Sequence, residues 1–126
     1  MALQLAFEAV GDGPPVVILH GLLGSSRNWR SVTKALAPSH RVFSVDLRNH
    51  GQSPWSDTMS YSEMAADVRL LIESERLGAP VVIGHSMGGK AAMALAPETP
   101  ALVGNLVVVD IAPVSYPDRF STEAVV

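Results

Sequence analysis

This sequence of 126 residues lacks cysteine, long apolar runs and an excess of positive charge, and each of these absences excludes a class of protein or site. There is no cysteine, which excludes disulfides, thiolate metal ligands and a cysteine nucleophile. No apolar run approaches the ~20 residues of a membrane-spanning helix, so no membrane span is expected. Nine Lys and Arg stand against twelve Asp and Glu, a net charge of −3. This deficit of positive charge argues against nucleic acid or an anionic membrane as a partner.

Signals for export and for cofactor binding are also missing. Residues 1–10 contain neither Lys nor Arg, whereas a secretory signal begins with a basic segment, so we expect a cytoplasmic protein. No G-x-G-x-x-G pattern occurs, and no His, Asp or Glu cluster has metal-ligand spacing. We therefore expect no cofactor and no metal. The composition, 48% apolar and 17% charged, is that of a folded domain.

Short, largely apolar segments alternate with amphipathic ones along the chain. Strands are predicted at 16–19, 41–45, 81–83 and 106–109, after a half-buried strand near residues 3–8. Helices are predicted at 28–37, 60–77 and 87–96. Strand–helix–strand repeats require right-handed crossovers. The sequence thus predicts an α/β fold, a three-layer α/β/α sandwich with a mostly parallel sheet.

Helix boundaries follow from capping residues. Ser60 with Glu63 three residues later is typical of a capping box at a helix start. Gly78 is expected to end that helix, because glycine commonly follows a helix carboxyl terminus. Pro97 and Pro100 are expected to lie in the loop that leaves the last helix, since proline disfavours a helix interior.

The strongest chemical signal is G-x-S-x-G at residues 84–88, directly after an apolar strand and directly before a helix. This context is typical of a nucleophile elbow, in which a sharp turn presents the hydroxyl of Ser86. Gly84 and Gly88 lack side chains, so strand and helix can approach closely. The alternative is a glycine-rich turn that merely links the two elements.

A second signal, His20–Gly24, also follows a buried strand. Acyl transfer needs hydrogen-bond donors for the oxyanion, and in enzymes with a nucleophile elbow two backbone N–H groups serve as these donors. Met87, the residue after the nucleophile, would supply one donor, and Leu22, after the His-Gly pair, would supply the other. The alternative is an ordinary turn in which His20 has structural partners.

A third segment, Asp46–Ser53, resembles the D-x-R-x-H-G-x-S loop of α/β-hydrolase-fold enzymes. With LHGLLGSSRNW, GHSMGGKAAM and VVVDIAPVSY, it resembles one branch, the small bacterial esterases of the YbfF type and the ABHD11-like hydrolases. Asn49 is one reason for preferring this branch. The resemblance covers the N-terminal half of such an enzyme. It implies that Asp110, at a strand end, is the triad acid; the alternative is a rim carboxylate that caps a loop. Asp46 is interpreted as a loop organiser and His50 as a loop histidine bonded to backbone.

The general base is missing, because no histidine follows Asp110, where the triad order Ser, Asp, His requires it. His85 should point away from the serine hydroxyl, and His40 should lie at the wrong end of the sheet. We therefore expect residues 1–126 to be the N-terminal portion of one α/β-hydrolase domain, with 111–126 beginning the connection to a cap. A C-terminal half or second chain is the expected partner that supplies the histidine and further strands.

The predicted activity is that of a serine hydrolase that cleaves carboxylic esters or thioesters through an acyl-enzyme on Ser86. The expected substrate is a small-molecule ester. Two alternatives stay open at this point. One is a truncated, non-catalytic binding module, and the other is a different activity of an elbow serine, such as acyl transfer or cofactor-free haloperoxidation.

Overall fold

A computed structural model describes residues 2–21, 24–25, 29–98 and 100–109. The chain forms β1 (Phe7–Val10), β2 (Pro15–Leu19), α1 (Arg30–Leu36), β3 (Arg41–Val45), α2 (Tyr61–Ser74), β4 (Val81–His85), α3 (Met87–Glu98) and β5 (Asn105–Val109). A short 3-10 helix, Pro100–Leu102, precedes β5. The predicted alternation of strands and helices is confirmed.

The strands form a mostly parallel sheet in the order β1-β3-β2-β4-β5. β1 pairs antiparallel with β3, and the other pairs, β2 with β3, β2 with β4 and β4 with β5, are parallel. The carboxyl ends of β2, β3, β4 and β5 therefore lie at one edge of the sheet. The residues that follow these strands, which carry the predicted chemistry, are brought to that edge.

Helices cover both faces of the sheet, as predicted. Side chains alternate between the faces of a strand, so Val16 and Ile18 of β2 face one side while Val17 and Leu19 face the other. The first pair packs with Val42, Trp29, Val32 and Leu36, on the α1 side. The second pair packs with a larger cluster that includes Phe43, Val45, Met64, Val68, Ala91 and Leu95, on the α2 and α3 side. Full burial of a Val, Leu, Ile, Phe or Met side chain contributes about 1.5–3 kcal/mol to folding.

The start of α2 is capped as predicted. The Ser60 hydroxyl accepts a hydrogen bond from the Glu63 backbone N–H at 3.1 Å, and the Glu63 carboxylate accepts one from the Ser60 backbone N–H at 3.1 Å. These reciprocal bonds satisfy two donors that a helix start leaves without intrahelical partners. The capping box is confirmed.

The end of α2 differs from the prediction, because the helix ends at Ser74 and not at Gly78. Arg76 adopts a left-handed backbone with φ 54°. Its N–H donates to the Glu73 carbonyl at 3.2 Å, and the Leu77 N–H donates to the Ile72 carbonyl at 3.0 Å. These two bonds form a Schellman motif, which closes the helix two residues before the glycine.

Two further boundaries differ. Pro97 lies inside α3, so its assignment to the exit loop is wrong; the fixed φ of proline is compatible with helical backbone, and only Glu98 follows it in the helix. At the amino terminus, strand β1 begins at Phe7. The earlier residues bond to side chains instead: the Leu3 N–H donates to Asp67 and the Ala6 N–H to Ser53, each at 2.7 Å.

Among the helices that lie within the described ranges, none is both long and apolar enough to cross a bilayer.

Candidate active site

Ser86 occupies the turn between β4 and α3, hereafter the Ser86 turn (residues 84–88). It has φ 54°, a left-handed conformation that costs a residue with a side chain about 1–2 kcal/mol. Its N–H donates to the Val109 carbonyl at 3.3 Å, and its carbonyl accepts from the Lys90 N–H at 3.1 Å. The turn is therefore held to β5 on one side and to the first turn of α3 on the other.

Two glycines make this turn possible. A Cβ atom on Gly84 would lie 2.5 Å from the Gly88 carbonyl oxygen and 2.6 Å from the Gly89 Cα. A Cβ atom on Gly88 would lie 2.4 Å from the carbonyl oxygen of Leu19, at the end of β2. The backbone around α3 and the neighbouring strands is therefore packed too closely to accommodate a Cβ atom at either position, which is the physical reason for glycine at both.

The loop that leaves β2 contacts the Ser86 turn directly. The Gly88 N–H donates to the His20 carbonyl at 3.1 Å. A Cβ atom on Gly21 would lie 3.3 Å from the Ser86 Cβ and 3.0 Å from the His85 Nδ1. The Gly21 carbonyl also accepts a hydrogen bond from the Gly24 N–H at 3.0 Å.

The imidazole of His20 has a partner for each ring nitrogen and is 1% exposed. Its Nε2 accepts a hydrogen bond from the Leu47 backbone N–H at 2.9 Å, and its Nδ1 lies 2.7 Å from the Gly21 carbonyl oxygen. Because a backbone N–H can only donate, Nε2 is the acceptor and the proton is on Nδ1. Burial lowers the pKa of His20, and this effect exceeds the opposing effect of its bond to Gly21. The alternative in which His20 has structural partners describes this residue.

The loop after β3 lies beside His20. The His50 Nδ1 donates to the Arg48 carbonyl at 2.9 Å, as predicted for a histidine bonded to backbone, and its ring centroid is 5.1 Å from that of His20. The Asp46 carboxylate accepts from the Gln52 N–H at 3.0 Å. A Cβ atom on Gly51 would lie 2.3 Å from the same carboxylate oxygen. Asp46 therefore organises the loop, as predicted.

The other two histidines lie elsewhere. His40 directly precedes β3, at the opposite edge of the sheet, and its Nδ1 is 2.8 Å from the Ser39 hydroxyl. The ring of His85 contacts Trp29 edge-on, with centroids 5.7 Å apart. These contacts do not place the imidazole of either residue as a base for Ser86.

Two of the four predicted site residues are described. Ser86 is half-buried in its turn, and Met87 is the first residue of α3 and is buried. The first N–H groups of a helix have no partner within it, so Met87 offers a donor of the expected type. Leu22 and Asp110, the second donor and the acid, lie outside the described residues. Within the described part of the chain, no three His, Cys, Asp or Glu side chains converge as a metal-binding group.

Comparisons with known proteins identify the family. The family model for the alpha/beta hydrolase fold matches residues 14–125. The chain belongs to the α/β-hydrolase fold family. It is 47% identical over 109 residues to the sn-1-specific diacylglycerol lipase ABHD11 of Danio rerio, covering 85% of this chain and 34% of the relative. It is 42% identical over 105 residues to Esterase YbfF of Escherichia coli (strain K12), covering 83% and 41%.

Solved structures agree on this α/β-hydrolase fold. The structure of a marine microorganism esterase superposes with a TM-score of 0.90 at 45% identity, covering 98% of this chain and 47% of that one. The chain therefore spans from about a third to about half of the length of these relatives. The resemblance to the YbfF and ABHD11 branch is confirmed.

One buried group of this α/β-hydrolase chain was missed by the sequence analysis. Arg48, in the loop after β3, forms two hydrogen bonds to the Asp67 carboxylate on α2, at 2.7 and 3.0 Å. Its third nitrogen donates to the Thr58 carbonyl at 3.0 Å. The bond to Asp67 is the main reason that the pKa of Arg48 is raised. The D-x-R pattern points to Arg48, but its partner Asp67 lies 19 residues later, and no sequence pattern links the two.

Proposed function

We propose that the gene product containing these residues is a serine hydrolase of carboxylic esters or thioesters, with Ser86 as the nucleophile. The observation that carries the proposal is the left-handed backbone of Ser86, φ 54°, between a buried strand and a helix start. A residue kept in a costly conformation by close glycine contacts is typical of a functional position. The names of the relatives, lipase and esterase, support the same chemistry.

The proposed reaction has two steps. The Ser86 oxygen attacks the acyl carbonyl, while a histidine takes its proton and later returns it to the leaving alcohol or thiol. Water then attacks the acyl-enzyme and releases the acid. We assign the oxyanion donors to the Leu22 and Met87 N–H groups. The position of Met87 at the start of α3 supports its assignment.

The triad acid of the proposal is Asp110. Its support is the neighbour that precedes it in sequence: the Val109 carbonyl accepts the Ser86 N–H at 3.3 Å, and β4 and β5 are paired in parallel up to His85 and Val109. Asp110 directly follows β5 in the sequence, and β5 is the strand that pairs with β4, the strand leading to Ser86.

We further propose that the base is supplied by a C-terminal half or a second chain. The contacts of all four histidines support this, because His20 and His50 bond to backbone, His40 lies at the far edge and His85 packs on Trp29. Strand β5 supports it as well, since Leu106 and Val107 are 38% and 43% exposed. Apolar side chains on a parallel strand are usually covered. The cytoplasmic location expected from the sequence remains a prediction, which cell fractionation tests.

The experiment uses the complete gene product and a fluorophosphonate probe. We expect the probe to label Ser86, and Ser86→Ala to abolish labelling and to lower ester turnover by about ten-thousand-fold or more. Ser62→Ala, at an exposed serine of α2, is the matched control and should retain both. Labelling and turnover that survive in the Ser86→Ala variant refute the proposal.

Two further arms complete the test. Replacing in turn each histidine that follows residue 126, and each histidine of any second chain that copurifies with the protein, should reveal one variant with a loss of similar size. If no such variant is found in either, the proposed source of the base is refuted. Product analysis in water with added alcohol separates hydrolysis from acyl transfer: free acid supports the proposed hydrolase, and a new ester as the main product supports an acyltransferase instead.

A further inference from the structure

The ammonium group of Lys90 lies over the aromatic ring of Tyr61, with its Nζ 5.6 Å from the ring centroid. Lys90 is the fourth residue of α3, and Tyr61 is the first residue of α2. A lysine ammonium within about 6 Å of an aromatic ring is attracted electrostatically to the ring face. The two side chains therefore connect the first turns of two helices that share one hydrophobic cluster.

This Lys90–Tyr61 pair lies at the same edge of the sheet as Ser86. Helices α2 and α3 each connect parallel strands, so both begin at the edge where β3 and β4 end. The Ser86 carbonyl accepts the Lys90 N–H at 3.1 Å, which places Lys90 one helical turn after the nucleophile. Side chains on a helix lean toward its amino terminus. The Lys90 side chain therefore extends toward the end of α3 that carries Ser86.

The charge of Lys90 has no acidic counterpart in the part of the chain that the structure describes. The ion pairs there use Arg48 and Arg69 as cations, and the first turn of α3 contains no acidic residue. Because the amino-terminal end of a helix carries partial positive charge, a cation is unfavourable beside it. The position of Lys90 is therefore not explained by the stability of α3.

The contact with Tyr61 leaves Lys90 able to bind an anion. An ammonium group has three N–H donors, and the face of one aromatic ring does not satisfy all of them. The ring also restricts the long and flexible lysine side chain, which lowers the entropy lost when a ligand binds. Lys90 is half-buried, so water screens its charge less than it would screen a fully exposed one.

We propose that Lys90, held by the ring of Tyr61, binds a carboxylate on the substrate, so that the enzyme prefers esters that carry an acid group. The inference rests on the function proposed above and names a substrate class for it. A carboxylate matches the single charge of one ammonium and accepts its hydrogen bonds. Lys90 is thus a specificity-determining residue, which contacts the acid group and not the reacting carbonyl.

The test compares esters that differ in one acid group, in the complete gene product. Monoethyl glutarate carries the acid on the acyl side, and ethyl pentanoate is its neutral counterpart of equal acyl length. The acetate ester of γ-hydroxybutyrate carries the acid on the alcohol side, and butyl acetate is its neutral counterpart. The measured quantity is the ratio of kcat/KM for the acidic ester to kcat/KM for the neutral ester. A general loss of activity cancels in this ratio.

The main variant is Lys90→Met, which removes the charge and keeps an apolar stem. We expect the ratio to fall about 10–100-fold for at least one pair of esters, the size of effect typical of a charge-assisted hydrogen bond. The pair that responds identifies the side of the ester that carries the acid. Lys90→Arg keeps a cation and should retain most of the preference. Tyr61→Leu removes the ring and should lower the ratio less than Lys90→Met does.

The matched control is Lys34→Met, which removes the same charge at an exposed position in the last turn of α1, near the opposite edge of the sheet. It should keep the wild-type ratios. Circular dichroism checks that each variant is folded, and Lys90→Gln replaces Lys90→Met if the latter does not fold.

Three results overturn the proposal. The first is a wild-type ratio below one for both pairs of esters. The second is a ratio that is the same in wild type and in the uncharged Lys90 variant for both pairs. The third is an equal fall in Lys34→Met, which would indicate attraction by overall charge and not contact with Lys90.

Binding of glutarate separates failure of this inference from failure of the proposed function. Calorimetry with the Ser86→Ala protein measures this binding without turnover, and adding Lys90→Met should raise the Kd about 10–100-fold. If Ser86→Ala abolishes turnover but neither the ratios nor the Kd respond to Lys90→Met, only the carboxylate site is refuted. If Ser86→Ala retains turnover, the proposed function fails, and the role of Lys90 in selecting esters for Ser86 fails with it.

Discussion

Arg48 and Asp67 form a bidentate ion pair in which neither side chain reaches the surface. The Arg48 Nε and Nη2 donate to the two Asp67 oxygens at 2.7 and 3.0 Å, with exposures of 1% and 0%. The Leu3 N–H donates to the same carboxylate at 2.7 Å. The pair therefore joins the amino-terminal segment, the loop after β3 and helix α2.

Removing one partner of this pair should strongly destabilise the protein. Asp67→Asn leaves the buried Arg48 with only the partly exposed Glu63 carboxylate, 3.6 Å from its Nη1, as a counter-charge. Removing the buried partner of such a pair costs about 3–5 kcal/mol. The free energy of unfolding, measured by urea titration of the complete gene product, tests this. Arg48→Met combined with Asp67→Leu should cost less than the two single changes added together, because no charge is then left unpaired.

The control for this prediction is the exposed pair Arg69 and Glu73 on α2. Their side chains are 52% and 48% exposed, with Nε and Oε2 at 3.3 Å. Glu73→Gln should cost no more than about 0.5 kcal/mol, because water screens exposed pairs. An equal cost for Asp67→Asn and Glu73→Gln would contradict the importance of the buried pair.

A methyl group at Gly88 should disrupt the contact between α3 and β2. Its Cβ would lie 2.4 Å from the Leu19 carbonyl oxygen and 2.6 Å from that of His20. Gly88→Ala should cost at least about 1–3 kcal/mol in unfolding free energy, as other overpacked positions do. Gly78→Ala is the comparison, because a Cβ there meets no atom within 4 Å and bears only the cost of φ 71°. Equal effects of the two changes would show that the close approach is unimportant.

Arg76→Gly is expected to stabilise the protein. Arg76 closes helix α2 with φ 54°, a conformation that glycine adopts without steric cost. The expected gain is about 0.5–1 kcal/mol in unfolding free energy. Arg69→Gly, at an exposed position inside the same helix, should instead cost about 1 kcal/mol. A loss of stability in Arg76→Gly would contradict the assignment of this residue to the helix end.

Acid should weaken the start of α2 through Glu63. Hydrogen bonds from the Thr58 hydroxyl and from Ser60, with the nearby Arg48 charge, lower the pKa of Glu63 from 4.5 to about 2. The unfolded chain therefore binds more protons than the folded one between these values, so the contribution is complete above pH 4.5 and is lost as pH falls to about 2. Urea midpoints across this range measure it.

The variant for this prediction is Glu63→Gln, which removes the titrating group. Its unfolding free energy should change less steeply between pH 4.5 and 2 than that of the wild type. Thr58→Val should narrow the pH range over which Glu63 contributes to the pH dependence of stability, because the bond from the Thr58 hydroxyl is the largest cause of the lowered pKa of Glu63. An unchanged slope in Glu63→Gln would show that other groups dominate acid unfolding.

Much of the fold could be predicted because its signals are local. A buried parallel strand is visible as an apolar run, and the capping box is visible as Ser60 and Glu63 three residues apart. Asn49 is a further example: its φ of 66° suits glycine or asparagine, and its side-chain oxygen accepts the Ser56 N–H at 2.6 Å. Asparagine suits position 49 of this loop because it tolerates the positive φ that the backbone adopts there.

The end of α2 could not be predicted in the same way. Gly78 is the residue type that usually follows a helix, but Arg76 takes the left-handed position. The two closing bonds, to Glu73 and Ile72, form at the last buried residue of α2, which is Ile72. Helix propensity alone does not reveal where the buried face of a helix ends. Pro97 inside α3 shows the same limit, because helix ends depend on contacts as well as on residue type.

Local sequence patterns encode the strand–helix alternation and the position of Ser86 between a strand and a helix, because both depend on neighbouring residues. Which side chains meet depends on how the chain folds in three dimensions. The bonds of His20 to Leu47 and of Arg48 to Asp67 span 27 and 19 residues. The neutral state of His20 follows from burial and from the direction of a distant N–H, and neither property is present in a linear pattern.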